Sequence, residues 1–213
     1  TVTSAEPVAG AVRLQGTAEP GARVRLATPT GQSVEVTASG AGRWELLAAA
    51  ASPGSVYGLS QRISGRVTQA EGYFLVTPDG RCVQLRGGSG SKVIAGGPQQ
   101  GPATFDIDRE GGAVVSGRGP VNGAVSARID GRKLGEDRID SDGRFDIPLS
   151  GPAPPGVHGL KVFGESIDAA VQLDMSPAPP LTTGPFRITE EPAGLRVDWI
   201  TPGGGVQTTH VLR

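Results

Sequence analysis

The feature that most constrains the fold of this chain is an internal repeat with an offset of about one hundred residues. "GRWEL" at 42–46 matches "GRFDI" at 143–147, and "YGL" at 57–59 matches "HGL" at 158–160. The other matched landmarks are Gly16 with Gly117, Gly21 with Gly123, Pro53-Gly54 with Pro155-Gly156, and Gly65 with Gly164. An offset that stays between 99 and 102 residues over about 65 positions predicts two tandem modules of one kind.

The modules are predicted to consist of strands. Short alternating runs such as "ARVRLAT" (22–28), "AVSARID" (124–130) and "LRVDWI" (195–200) are rich in β-branched residues, and Gly, Pro, Asp or Asn bound most of them. The one helix-like run, "ELLAAAA" (45–51), is short for a helix and leads into Ser52-Pro53-Gly54. We therefore interpret it as a strand end, and the whole chain as all-β.

Turn residues and aromatic residues recur at matched places in the two copies. Pro20-Gly21 and Asn122-Gly123 are predicted to close a tight bend between two strands. Trp44 and Phe145 each follow a turn Gly and an Arg, where one large side chain can fill the space between facing sheets.

This pattern resembles a known family. The order "GTAEPGARVRL…GAGRWEL…SPGSVYGL", repeated as "VSGRGPVNGAVSARID…IDSDGRFDI…PPGVHGLKV", is similar to tandem bacterial immunoglobulin-like modules. The resemblance implies two β-sandwiches, an exported chain in the periplasm or on the cell surface, and a spacer or adhesive role. It implies no catalytic residue. A chain that opens Thr1-Val2-Thr3-Ser4 fits a processed, mature product.

The repeat and the composition between the copies divide the chain into five predicted parts. In order they are a sandwich at 8–78, a hairpin and Gly-Pro-rich connector at 79–109, a sandwich at 110–177, a Pro-rich linker at 178–185, and a three-stranded β segment at 186–213.

The last segment resembles the opening of the second module and then stops, as a partial third repeat. Three strands cannot close a sandwich, so the segment is expected to dock on its own chain or to pair with another molecule. We interpret it as the site of self-association or of a protein partner. Its candidate partner-binding residues are Phe186, Ile188, Leu195, Val197, Trp199 and Val211.

Residues that could carry chemistry are few, so no catalytic residue and no cofactor are assigned. Cys82 lies in an alternating strand, and the two histidines, His158 and His210, are far apart in sequence. "SGSK" (89–92) is interpreted as a turn, because a Gly-Ser tract does not supply the helix that a Ser-x-x-Lys pair requires. Four carboxylates form a weak calcium candidate, for which a solvated strand connection is the favoured alternative; they are Asp137, Asp140, Asp142 and Asp146.

Charge and hydropathy exclude some partners. Twenty basic and 21 acidic residues leave a net charge of −1 without a basic run, so nucleic acid is not expected as a partner. No apolar run approaches the length of a membrane helix, so membrane insertion is not expected. The sequence favours a non-enzymatic structural or assembly protein of a bacterial envelope. Two alternatives remain: a carbohydrate-binding or adhesive module, and accessory domains of a secreted enzyme.

Overall fold

A computed structural model describes all residues from 1 to 213. The chain folds entirely into strands joined by turns, which confirms the all-β prediction; "ELLAAAA" lies mostly in a strand that ends at Ala49. There is no helix, and hence none of the length and apolarity that would cross a membrane. The chain forms two compact units, one of residues 1–85 and 93–96 and one of residues 86–92 and 97–213.

Unit 1 contains two antiparallel sheets. The first has the order β1-β2-β5, and the second has the order β10-β9-β8-β6-β3-β4 with β7 paired to β6. The strands are β1 (Val2–Val8), β2 (Ala11–Thr17), β3 (Arg23–Ala27), β4 (Ser33–Thr37), β5 (Arg43–Ala49), β6 (Ser55–Ile63), β7 (Arg66–Gln69), β8 (Tyr73–Val76), β9 (Cys82–Leu85) and β10 (Lys92–Ala95).

Unit 2 also contains two sheets, and the three C-terminal strands belong to the larger one. Its orders are β15-β12-β11-β20-β19-β18 and β14-β13-β16-β17. The strands are β11 (Gly101–Asp108), β12 (Ala113–Arg118), β13 (Ala124–Ile129), β14 (Arg132–Arg138), β15 (Arg144–Pro148), β16 (Val157–Gly164), β17 (Ile167–Asp174), β18 (Phe186–Glu191), β19 (Gly194–Ile200) and β20 (Val206–Leu212).

The sequence repeat appears in the structure as a repeated set of hydrogen bonds. The sheet β1-β2-β5 of unit 1 corresponds to β11-β12-β15 of unit 2, and β4-β3-β6 corresponds to β14-β13-β16. At the start of the fifth strand of each copy, Ala18 N donates to Gly42 O at 2.8 Å and Gly119 N donates to Gly143 O at 3.0 Å. With β7 beside β6 and β17 beside β16, the two units are two versions of one seven-strand plan.

The structure corrects one detail of the sequence match, because Gly21 corresponds to Asn122 and not to Gly123. Both residues have a positive φ, 74° for Gly21 and 64° for Asn122. Their N–H groups donate to equivalent carbonyls, those of Ala38 at 3.2 Å and Ile139 at 2.9 Å. Asn is one of the few residues besides Gly that tolerates this left-handed conformation, so matching the glycines by identity placed the bend one residue late.

Each unit is built around one aromatic side chain that faces a glycine. Gly16 pairs with Trp44 and Gly117 pairs with Phe145 across equivalent strand pairs. An added Cβ would lie 2.4 Å from the ring of Trp44 or 2.6 Å from the ring of Phe145, so only glycine leaves room for the ring. Both aromatic residues belong to the buried core of their unit.

Candidate functional site

The C-terminal segment is part of unit 2. Strand β20 pairs antiparallel with β11 over five residues, from Thr104↔Val211 to Asp108↔Gln207. β19 pairs with β20, and β18 pairs with β19. The segment thus docks on its own chain in this structure, and β18 is the last strand of the sheet.

The six residues predicted to contact a partner have different environments. Val197, Trp199 and Val211 are fully buried in the folded chain, and Leu195 is buried as well. Phe186 and Ile188 are half-buried and lie on β18. A partner role for these residues stays a prediction, and of the six only Phe186 and Ile188 lie on the edge strand.

A buried ion pair lies within the segment, and one of its members, Arg196, also binds the rest of unit 2. The Asp198 carboxylate accepts hydrogen bonds from Arg187 Nη2 at 2.5 Å, Arg196 Nε at 3.0 Å and Thr208 Oγ1 at 2.7 Å. Burial alone would raise the pKa of Asp198, but the hydrogen bonds from Thr208 and Arg187 and the charge of Arg196 lower it below its usual value. Arg196 also donates to the main-chain oxygen of Ser176 at 2.8 Å, which anchors the chain just after β17.

A second buried carboxylate, Asp106 on β11, fastens the Gly-Ser loop at 86–92. Asp106 accepts from Ser91 N and Ser91 Oγ at 2.7 Å each, from Thr209 Oγ1 at 2.6 Å and from Gln207 Nε2 at 3.0 Å. Burial raises the pKa of Asp106, and these hydrogen bonds oppose the shift. The loop is therefore bound to the sheet by specific contacts, although its composition is typical of a flexible linker.

Sequence reasoning did not single out Asp106. The available signal was the alternation in "FDID" (105–108), which places Asp106 on the sheet face opposite Phe105 and Ile107. In this unit both faces of β11 are buried, so a carboxylate there requires donors.

The residues considered for catalysis are held in positions that do not favour it. Burial raises the pKa of the Cys82 thiol to about 12, which disfavours the reactive thiolate. His158 is bound at both ring nitrogens, with Nδ1 2.6 Å from Asp130 Oδ2 and Nε2 3.1 Å from Pro155 O. The hydrogen bond to Asp130 raises the pKa of His158, and this hydrogen bond together with that from Gly159 N lowers the pKa of Asp130.

The second histidine, His210, is buried in unit 2. Its Nδ1 lies 3.2 Å from Glu191 Oε2, and its Nε2 has no hydrogen-bond partner. The ring centroid lies 6.1 Å from that of Phe105.

Two of the four carboxylates of the calcium candidate, those of Asp137 and Asp140, accept main-chain hydrogen bonds around the turn that precedes β15. Asp140 Oδ1 accepts from Asp142 N at 2.9 Å and Arg144 N at 2.8 Å, and Asp137 Oδ2 accepts from Asp146 N at 3.1 Å. The chain contains no group of three or more His, Cys, Asp or Glu side chains placed to hold a metal ion. This arrangement is that of a strand connection capped by its own side chains.

Unit 1 contains a cleft of about 710 Å³ at one end of its sandwich. Its wall combines apolar side chains, Val24, Trp44 and Phe74, with polar ones that include Glu19, Gln61 and Thr68. The indole Nε1 of Trp44 is buried and has no hydrogen-bond partner. The sequence placed Trp44 in the core and did not indicate a cleft beside it.

Comparisons with known proteins give distant structural similarities only. No protein-family model matches the chain, and no curated protein does. A biofilm-associated protein BSP domain is similar with a TM-score of 0.29 and 13% identity, covering 84% of this chain and 30% of that one. Invasin, described as a bacterial integrin-binding protein, has a TM-score of 0.24 and 12% identity, covering 99% and 54%.

A third solved structure is a Ca²⁺-stabilized adhesin that helps an Antarctic bacterium bind ice. Its TM-score is 0.26 with 10% identity, and the match covers 95% of this chain and 86% of that one. TM-scores and identities this low establish neither a family nor a function for this chain.

Proposed function

We propose that this chain is a non-enzymatic interaction module of an exported bacterial protein, in which two copies associate along β18. The observation that carries the proposal is that the six-stranded sheet of unit 2 ends at β18. The outer edge of a terminal strand presents main-chain N–H and C=O groups that a further strand can bind.

The sequence of β18 is suited to pairing with itself. In a continuous antiparallel sheet with a twofold axis, residues opposite each other must point to the same face, so the axis passes through a residue. An axis at Thr189 places Arg187 of each copy opposite Glu191 of the other. Opposite charges at such positions stabilise a pair of strands, and this register supplies two such pairs, which would be shared with the contacts of Arg187 with Asp198 and of Glu191 with His210.

Three observations support a role without catalysis. Cys82 is buried with a raised pKa, His158 is bound at both nitrogens, and His210 is buried. Cys82 and His210 are closed to solvent, and both ring nitrogens of His158 are already bound within the chain, whereas general acid–base or covalent catalysis requires a group that can reach its substrate.

The mass in solution tests the association. We expect light scattering to show a mass that rises with concentration from 21.7 kDa toward twice that value. Removing residues 186–213 is unsuitable as a test, because the deletion would strip β20 from β11 and expose buried side chains of unit 2.

Two adjacent proline variants, Ile188→Pro and Thr189→Pro, provide the matched control. Successive N–H groups of a strand point to opposite edges, so one variant removes a hydrogen bond to β19 and the other removes a donor at the outer edge. The variant that keeps its melting temperature is the edge variant, and it should remain at the monomer mass. A wild type that stays monomeric, or an edge variant that associates as well as the wild type, overturns the proposal.

A further inference from the structure

The cleft of unit 1 lies where the equivalent space in unit 2 is filled by hydrophobic side chains. Across the larger sheet of unit 1, Val24 pairs with Gln61, which pairs with Thr68. The corresponding row in unit 2 is Val125, Gly164 and Ile167. Val24 and Val125 are both buried in the core of their unit, so each row faces the interior of its sandwich.

The two rows differ in what they place between the sheets. Ile167 and Ile139 are buried in the core of unit 2, and both contact the position of Gly119, where an added Cβ would lie 2.8 Å and 2.6 Å from their Cδ1 atoms. In unit 1 the positions of these isoleucines are held by Thr68 and Ala38, which are smaller. The sandwich of unit 1 is therefore not filled at this end.

The polar side chains of the cleft are ordered by one another. Gln61 Nε2 donates to Glu19 Oε1 and Glu19 N donates to Gln61 Oε1, each at 3.0 Å. Gln61 is half-buried, and Glu19 and Thr68 are exposed, so this end of the sandwich is open to solvent. The ordered polar groups are therefore accessible to a ligand in the cleft.

The unpaired indole N–H of Trp44 points to the same conclusion. The side chain is only 5% exposed, and a buried donor without an acceptor destabilises the folded chain. The indole edge lies against Gly16, since a Cβ there would contact Cζ2 and Cε2, and the adjoining Thr17 lines the cleft. Nε1 itself is closed to solvent, so a ligand acceptor oxygen would satisfy this donor by displacing the part of the wall that covers it.

The chemistry of the wall selects the kind of ligand. The cleft volume lies in the range of about 300–1,000 Å³ that is usual for small-molecule sites. No Lys or Arg lines it, which disfavours an anionic ligand. The rings of Trp44 and Phe74 are almost fully buried, so the accessible groups of the wall are mainly carboxylate, amide and hydroxyl groups, which suit a molecule with many hydroxyl groups. We infer that unit 1 binds a neutral saccharide in this cleft, with Gln61, Glu19 and Thr68 as polar contacts and the Trp44 indole as a donor.

This inference is independent of the association along β18. Its test follows the indole N–H signal of Trp44 and does not depend on the mass in solution. The full chain is screened on a printed array of neutral and acidic oligosaccharides, and the best ligand is titrated while the two indole N–H signals are followed by NMR. We expect the Trp44 signal to shift. The Trp199 signal should stay in place, because its N–H already donates to Thr209 Oγ1 at 3.1 Å.

A variant that copies unit 2 provides the critical comparison. Thr68→Ile places in the cleft the side chain that closes the equivalent space in unit 2, and we expect it to weaken binding by at least about tenfold without lowering the melting temperature. Thr37→Ile adds the same atoms at an exposed position of β4 and should bind as the wild type does.

Three results would overturn the assignment. The first is an array on which no neutral oligosaccharide both binds and shifts the Trp44 indole. The second is binding restricted to acidic oligosaccharides, because the cleft has no Lys or Arg to pair with their charges. The third is a Thr68→Ile variant that retains wild-type affinity.

Discussion

The two units share one strand plan, yet they differ at two corresponding places. At one end of the sandwich, unit 2 has Ile139 and Ile167 where unit 1 has Ala38 and Thr68. At the sheet edge, β11 pairs with β20, whereas β1 is the last strand of its sheet. A duplicated module can therefore keep its fold while one copy becomes closed and the other keeps an opening and an edge.

The sequences of the two first strands match their different places in the sheets. Both first strands carry the same irregularity, between Val2 and Ser4 in β1 and between Pro102 and Thr104 in β11. Counting from this point, Pro7 of unit 1 corresponds to Ile107 of unit 2. Proline has no N–H and is tolerated at sheet edges, while a strand between two neighbours uses every N–H.

Among the changes that test this comparison, replacing Ile107 by proline should cause the largest loss of stability. β11 is paired on both sides, so the lost N–H is a ladder hydrogen bond whichever way it points. The change also removes a buried side chain, and large-to-small core substitutions alone cost about 2–5 kcal/mol. We expect a loss of more than about 3 kcal/mol in the unfolding free energy of unit 2, measured by denaturant titration.

The reciprocal change, Pro7→Ile, is the control for that experiment. It removes a proline from a strand with one neighbour, and we expect the stability of unit 1 to change by less than about 0.5 kcal/mol. Equal losses in the two variants would show that the strands do not occupy corresponding positions.

Exchanging the side chains at the open and closed ends should give effects of opposite sign. Ile139→Ala in unit 2 should cost about 2–5 kcal/mol, because it leaves a cavity beside Ile167. Thr68→Ile in unit 1 should increase stability by about 0.5–2 kcal/mol by filling space. Hydrogen exchange of amides in β13 and β3 reports the two units separately. A destabilising Thr68→Ile would mean that the cleft has no room for the side chain.

Most of the fold was predictable because it depends on local patterns. The alternation of apolar and polar residues predicted the strands. The internal repeat predicted that both units share one arrangement, with Trp44 and Phe145 as core residues. The three-stranded C-terminal segment was also predicted, but the choice between docking on its own chain and on another molecule was left open. That choice depends on contacts between distant parts of the chain, namely the pairing of β20 with β11 and the hydrogen bond from Arg196 to Ser176 O.

The cleft was not predictable from one sequence, because it results from the absence of two large side chains that unit 2 has at the equivalent positions. Thr68 and Ala38 are ordinary residues of a strand and a strand end, and their significance appears only when the pairing within each unit shows that they correspond to Ile167 and Ile139. The match of Gly65 with Gly164 also obscured this register: in the structure Gly164 occupies the place of Gln61 across from Val24. Matching glycines by identity is unreliable where two hairpins differ in length.

The first strands also differ in one carboxylate. Asp106 is buried and accepts four hydrogen bonds, while the corresponding Glu6 is exposed and pairs with Arg13 at 2.7 Å. Asp106→Asn should cost about 1–3 kcal/mol, since an amide nitrogen cannot accept from Ser91 or Thr209. Glu6→Gln should change stability by about 0–1 kcal/mol, as is usual for exposed ion pairs. Thermal melting of both variants measures the difference, and similar losses would contradict the anchoring role of Asp106.

The smallest expected difference concerns the turn before the fifth strand of each copy. Asp140 Oδ1 accepts from two main-chain N–H groups, those of Asp142 and Arg144, whereas Ser39 Oγ accepts from Arg43 N alone at 3.1 Å. A carboxylate suits this turn better than a hydroxyl because it accepts more hydrogen bonds and accepts them more strongly.

We expect Asp140→Ser to lower the unfolding free energy of unit 2 by about 0.5–1 kcal/mol, and Ser39→Asp to raise that of unit 1 by a similar amount. The exchange rates of the Arg144 and Arg43 amides check this directly, and they should change in opposite directions. If Ser39→Asp left the Arg43 amide unprotected, the two turns would differ in more than the capping side chain, and their equivalence would be limited to the main chain.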